Sequence, residues 1–185
     1  MRYIVKEFDK PLLIFSADMN SSNLNLQIEK IYEENDAFFP LNLTVSNGGL
    51  ESWLKHRVIP KNRAYVDALL SKTGLSANRP LGIIAVCKGL SLNDCYWVDS
   101  ADNESSFAKV NLYDNRFSTI LASIAFTGYG SSVRSSLFSS PEFSTNGMLP
   151  KCWRRINGKI YLYKGGTSGF SNTGFEPYSE LYAYQ

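Results

Sequence analysis

The dipeptide Asn157-Gly158 constrains the fold of this chain more than any other feature. It separates two runs of strand-favouring residues, of which the second is Lys159-Ile160-Tyr161-Leu162-Tyr163-Lys164. Asn-Gly supplies the left-handed positions of a two-residue turn, so the spacing predicts a tight antiparallel hairpin. The second run alternates, which sends one set of side chains to a core and the other to a groove. Lys164 closes that strand, and Gly165-Gly166 follow. Pro177 is then expected to open a helix, where its missing N–H costs nothing, with Glu180 in the first turn.

A strand lysine followed by a helix glutamate is the ion pair that positions nucleotide phosphates in protein kinases. Each piece alone has a plainer reading. A lysine ending a strand is commonly a solvated edge residue, a glutamate near a helix start complements the macrodipole, and Ser-Thr-Asn-Gly is commonly just a turn. In this order, however, the segment resembles the HipA-like serine/threonine kinases, the toxin kinases of bacterial toxin–antitoxin systems. Ser144-Thr145-Asn146-Gly147-Met148-Leu149-Pro150-Lys151 matches the Ser-x-x-Gly-x-x-x-Lys loop that stands in that family for the kinase glycine-rich loop. The resemblance implies that Asn146, Gly147, Lys151 and Lys164 bind the nucleotide. It further implies that Lys164 and Glu180 form the catalytic pair and that Ser144 occupies the place of a regulatory phosphoserine. It assigns no metal ligand. The loop is not a Walker A motif, because no Gly-Lys-Ser/Thr follows Gly147 at the required spacing. Lys151, directly after Pro150, is expected to face solvent.

The resemblance continues more loosely toward the N-terminus, through Phe39-Pro40-Leu41-Asn42-Leu43, Trp53-Leu54 to Pro60, and Arg63 to Leu75. Where family members carry Asp-x-x-Gly-Ala, this chain has Gly89-Leu90-Ser91-Leu92-Asn93-Asp94, which marks a divergent branch. The expected class is α+β: a HipA-like N-terminal subdomain over 1–126, a Ser/Gly-rich linker over 127–141, and a partial kinase-like N-lobe over 142–185.

Within the first unit, strands are expected over 3–8 and 11–16 with a turn at Asp9-Lys10, and 26–32 is ambiguous. Residues 38–43 read as extended and Ser46 to Gly49 as a turn. Helices are expected from Leu50 to Ile59, over 61–73 with Gly74 as its cap, over 80–90, and over 117–126 with Ile120, Leu121 and Ile124 buried. A strand is expected over 95–98. Lys55, His56, Arg57, Lys61 and Arg63 cluster on the first helix pair. A helix-turn-helix is one reading of them; a packed pair with a solvated basic rim is the favoured one, because the second helix lacks a polar recognition face.

Composition excludes several classes. A net charge of +2 is too small to imply nucleic acid, and direct nucleic-acid binding is not expected. Cys87, Cys95 and Cys152 form no CxxC or Cys/His group, and His56 is the single histidine, which argues against a zinc site and a disulfide scaffold. The charged start and the lack of a long apolar run argue for a cytoplasmic protein without membrane contact. Asp94, Asp99 and Asp102 cluster, but with no histidine nearby in sequence, and the cysteines lack a credible base.

Phosphoryl transfer also needs a base aspartate and Mg²⁺ ligands, which lie in a kinase C-lobe. The chain is therefore expected to be the N-terminal portion of such a kinase, inactive alone, whether as a cut piece, a truncated gene or one partner of a split protein. ATP with Mg²⁺ would matter only once a C-lobe is supplied in cis or in trans. The alternative is a non-catalytic binding or regulatory module that docks on a kinase or an antitoxin protein.

Overall fold

The structure is a computed structural model and describes residues 1–18, 25–133, 140–166 and 174–183. It is an α+β fold. Strands β1 (Arg2–Glu7), β2 (Lys10–Ala17), β3 (Leu26–Ile31) and β4 (Tyr96–Ser100) form an antiparallel sheet in the order β3-β2-β1-β4. A second, two-stranded sheet pairs β5 (Lys151–Ile156) with β6 (Lys159–Lys164). The helices are α1 (Asn47–Lys55), α2 (Val66–Lys72), α3 (Pro80–Cys87), α4 (Phe107–Val110), α5 (Thr119–Thr127) and α6 (Glu176–Ala183). Among the described residues, no helix is long and apolar enough to cross a membrane.

Strand alternation sorts the first sheet into two faces. Tyr3, Val5, Leu13, Phe15 and Val98 join Leu50 and Leu54 of α1, Leu69 and Leu70 of α2, and Ile83 and Ile84 of α3 in the main core. On the other face, Trp97 packs with Phe107 and Val110 of α4 and donates its indole N–H to the Phe8 carbonyl. Phe143 is fully buried in the main core as well. The expected first and last units therefore share apolar packing, and α5 lies against β5.

Several local expectations are corrected. The first turn lies at Phe8-Asp9, because Phe8 takes a left-handed φ of 51° and Lys10 already belongs to β2. The ambiguous segment is strand β3. Residues 38–43 are not a strand: Glu33–Phe38 is a 3-10 helix, and the Leu43 amide turns back to the Pro40 carbonyl. Ser46 caps α1 rather than starting a turn, its hydroxyl accepting from the Gly49 amide. Gly49 is required there, since a Cβ would stand 2.1 Å from the Thr44 carbonyl oxygen. α1 ends at Lys55, short of Pro60, and α2 begins only after Tyr65, which is left-handed at φ 61°. Ile120 on α5 is 45% exposed, unlike Leu121 and Ile124. Of the Ser/Gly-rich stretch, residues 134–139 lie outside the described residues. Its C-terminal end is packed: Ser140 and Pro141 are buried, and Pro141–Phe143 form one 3-10 turn.

Candidate functional site

The hairpin forms as its turn dipeptide dictates. Asn157 at φ 50° and Gly158 at φ 77° are both left-handed, the geometry whose twist matches paired strands. The register pairs Ile156 with Lys159 at the turn and Lys151 with Lys164 at the open end. Because cross-strand partners share a face, Lys151, Trp153 and Arg155 lie with Lys164, Leu162 and Ile160.

Lys164 and Glu180 meet. The ammonium lies 2.6 Å from Glu180 Oε2, with the two side chains 36% and 40% exposed. Glu180 is the fifth residue of α6, so it stands one turn deeper than expected, since the helix begins at Glu176 ahead of Pro177. The apolar side chains of α6 are left uncovered among the described residues: Tyr178, Leu181 and Tyr182 are all exposed.

Lys151 does not face solvent. It is 7% exposed, and its ammonium donates to the Asn146 carbonyl at 2.9 Å. The Ser144–Pro150 loop wraps around that ammonium. Gly147 takes a left-handed φ of 93°, and a Cβ there would stand 2.4 Å from Lys151 Nζ, the movable end of a flexible side chain. Burial is the main cause that lowers the Lys151 pKa, and the charges of Arg63 and Lys164 add to it. The tip of the loop, Asn146 to Met148, is exposed. Ser144 is half-buried and donates its hydroxyl to the Leu90 carbonyl at 2.6 Å. Thr145 accepts from the Trp153 indole at 2.8 Å. The loop, Trp153 and Leu162 together with Ser91 to Asn93 enclose a groove of about 270 Å³.

Beneath the lysine strand lies a pair that sequence reasoning missed. Arg63 and Glu142 are buried to 0% and 1% side-chain exposure and meet at 3.1 Å. Arg63 also donates to the carbonyls of Glu142 and Lys151, and Glu142 Oε1 accepts from the Trp153 amide. Burial lowers the Arg63 pKa and raises that of Glu142, so for each group desolvation outweighs the partner's attraction. Arg63 stood in the expected basic rim, and 79 residues of separation give no local signal for Glu142.

The rest of that rim is partnered too. Arg57 is buried and holds Asp94 through two nitrogens, at 2.7 and 2.9 Å. Lys55 pairs with Glu51, Lys61 bonds Asn78, and the His56 ring meets the Ser52 carbonyl. The helix pair is packed as expected, and Lys55, His56 and Lys61 are exposed on its rim; Arg57 and Arg63 are buried instead. The three clustered aspartates likewise each have a cation: Arg57 for Asp94, Lys88 for Asp99, and Arg2 for Asp102. Burial pushes the Cys87 thiol up to about 11 and raises Cys95 and Cys152, which keeps all three protonated near neutral pH. Among the described residues, no group of three or more His, Cys, Asp or Glu side chains could hold a metal ion.

Comparison of the chain with protein-family models, with curated proteins and with solved structures finds no significant match.

Proposed function

We propose that this chain is the N-terminal portion of a HipA-like serine/threonine protein kinase, carrying its ATP loop and phosphate lysine. The observation that supports the reading is the 2.6 Å pair between Lys164, at the end of a strand, and Glu180 on the next helix. In kinases this pairing aims a lysine at nucleotide phosphates. The loop chemistry fits a phosphate as well. Among the described residues, the amides of Asn146, Gly147 and Met148 donate to no protein acceptor, and the Lys151 ammonium lies beside them and feels the charge of Lys164. Backbone amides and a lysine are a donor set suited to phosphate oxygens.

On this reading ATP is the phosphoryl donor, bound as substrate. Lys164 holds its phosphates, Glu180 orients Lys164, and the loop amides cover them. Lys151 anchors the loop from below. The base and the Mg²⁺ ligands belong to a kinase C-lobe, in cis or in trans, so this segment alone transfers no phosphate.

Isothermal titration with ATP tests the reading. Binding with a Kd between about 10 µM and 1 mM, lost in Lys164→Met, is expected. No ATP binding, together with tight binding to an antitoxin or kinase partner that is indifferent to Lys164, would instead identify a docking module.

A further inference from the structure

A cleft larger than the groove under the loop lies beside the hairpin. It has a volume of about 670 Å³ and is lined by Arg116, Phe117, Phe126, Arg154, Arg155 and Tyr163, among others. That volume falls within the usual range for small-molecule sites. Arg154 alternates with Lys151 and Trp153 along β5, and Tyr163 alternates with Lys164 along β6. Arg154 and Tyr163 thus enter the cleft from the strand face opposite to the two lysines, while Trp153 and Arg155 reach it from the lysine face.

Its charge is one-sided. Three guanidiniums line it, and no carboxylate does. Among the described residues, none of the three forms an ion pair, whereas Arg2, Arg57 and Arg63 do. Arg155 is committed to the fold, donating to the carbonyls of Leu112 and Tyr113 and lying 5.0 Å from the Phe117 ring centre. Its Nε is buried and has no hydrogen-bond partner. Among the described residues, Arg154 meets the Cys152 thiol and feels the Glu142 charge but forms no ion pair, and Arg116 is exposed and forms none either. Guanidiniums without a carboxylate in ion-pair contact, set beside aromatic walls, suit an anionic group attached to a flat ring, because guanidinium forks match phosphate oxygens and rings stack.

We propose that this cleft binds a small aromatic phosphate of the nucleoside monophosphate class. Arg116 and Arg154 hold the phosphate, while Phe117, Phe126 and Tyr163 receive the ring. The site shares Trp153 with the groove under the loop but uses other polar groups, and it does not rest on the kinase reading.

Titration calorimetry of the chain with AMP, adenosine and inorganic phosphate tests it. One saturable AMP site is expected, with adenosine and phosphate each at least about tenfold weaker, since each keeps half of the contacts. Arg116→Gln and Arg154→Gln should each weaken AMP about tenfold, the loss of one charge-assisted contact. Lys164→Met should leave AMP affinity unchanged. Tyr163→Leu, at a side chain 45% exposed, should weaken AMP while leaving phosphate binding as it was, and it serves if an arginine variant does not fold. AMP binding that survives both arginine changes, or that falls with Lys164→Met, would overturn the assignment. So would phosphate binding as tight as AMP, or a single-stranded oligonucleotide binding far tighter than the monomer.

Discussion

Lys151 and Lys164 face each other across the mouth of the hairpin, and of the two only Lys164 has a carboxylate partner among the described residues. Like charges in register on one sheet face repel. The fold separates their tasks. Lys164 stays half-exposed and is steered by Glu180, while Lys151 is drawn under the loop and bonded to a carbonyl.

If Lys164 is the phosphate lysine, Lys164→Met and Glu180→Gln in a protein supplied with a kinase C-lobe should each lower phosphorylation by about 100-fold or more, because transfer depends on close positioning. Thermal melting should barely move, since a pair this exposed typically contributes about 1 kcal/mol or less. Phosphorylation assays and melting curves on the same samples separate the two effects. Near-normal activity in Lys164→Met would remove it from the site.

Lys151 should report its burial through pH. Its folded pKa lies below the unfolded value of 10.5, so over the interval between the two the unfolded chain binds more protons. Stability then rises with pH, and the cost of the buried ammonium is present in full only below the folded pKa. Urea midpoints of the wild type relative to Lys151→Met should therefore improve as pH climbs toward 10.5. A difference that stays constant with pH would mean the ammonium is solvated.

Breaking the Arg63–Glu142 pair from one side should be severe. Glu142→Gln leaves a buried guanidinium without its counter-charge, a change that typically costs about 3 to 5 kcal/mol. Replacing both partners, as Arg63→Met with Glu142→Gln, should cost less than the sum of the single changes. A double-mutant cycle by urea denaturation measures this, and simple additivity would argue against direct coupling.

At the hairpin turn, Gly158→Ala should destabilise by about 1 kcal/mol. A Cβ would meet no atom there within 4 Å, so the cost comes from the φ of 77° alone. Gly147→Ala should cost a similar amount through its φ of 93°, because the Lys151 ammonium that a Cβ would meet ends a flexible side chain and can shift. A much larger loss at Gly147 would mean that Lys151 is held rigidly under the loop.

The hairpin was legible because its information is local: two turn residues and the strand residues beside them. The meeting of Lys164 and Glu180 was legible only through family resemblance, since nothing in residues 165–175 dictates where the helix returns. The surroundings of Lys151 were not legible. Its burial depends on Arg63, on the loop's carbonyls and on the packing of Phe143, which approach from distant parts of the chain. The same holds for Arg57, whose solvated reading failed because Asp94 lies 37 residues away. Periodicity marked α5 as helical but could not say that Ile120 lies outside its covered stripe.

The ion pair under the lysine strand has a consequence for the chain as it is made. Arg63 leaves the ribosome 79 residues ahead of Glu142, which is roughly 4 to 16 s at ordinary rates of synthesis. Throughout that interval the guanidinium has no counter-charge and cannot be enclosed at low cost. The helix pair must stay hydrated around it, and the core must stay open at that point, until the later segment emerges. Final closure is thereby timed to the arrival of the turn that carries Glu142, which also brings Phe143 to the main core.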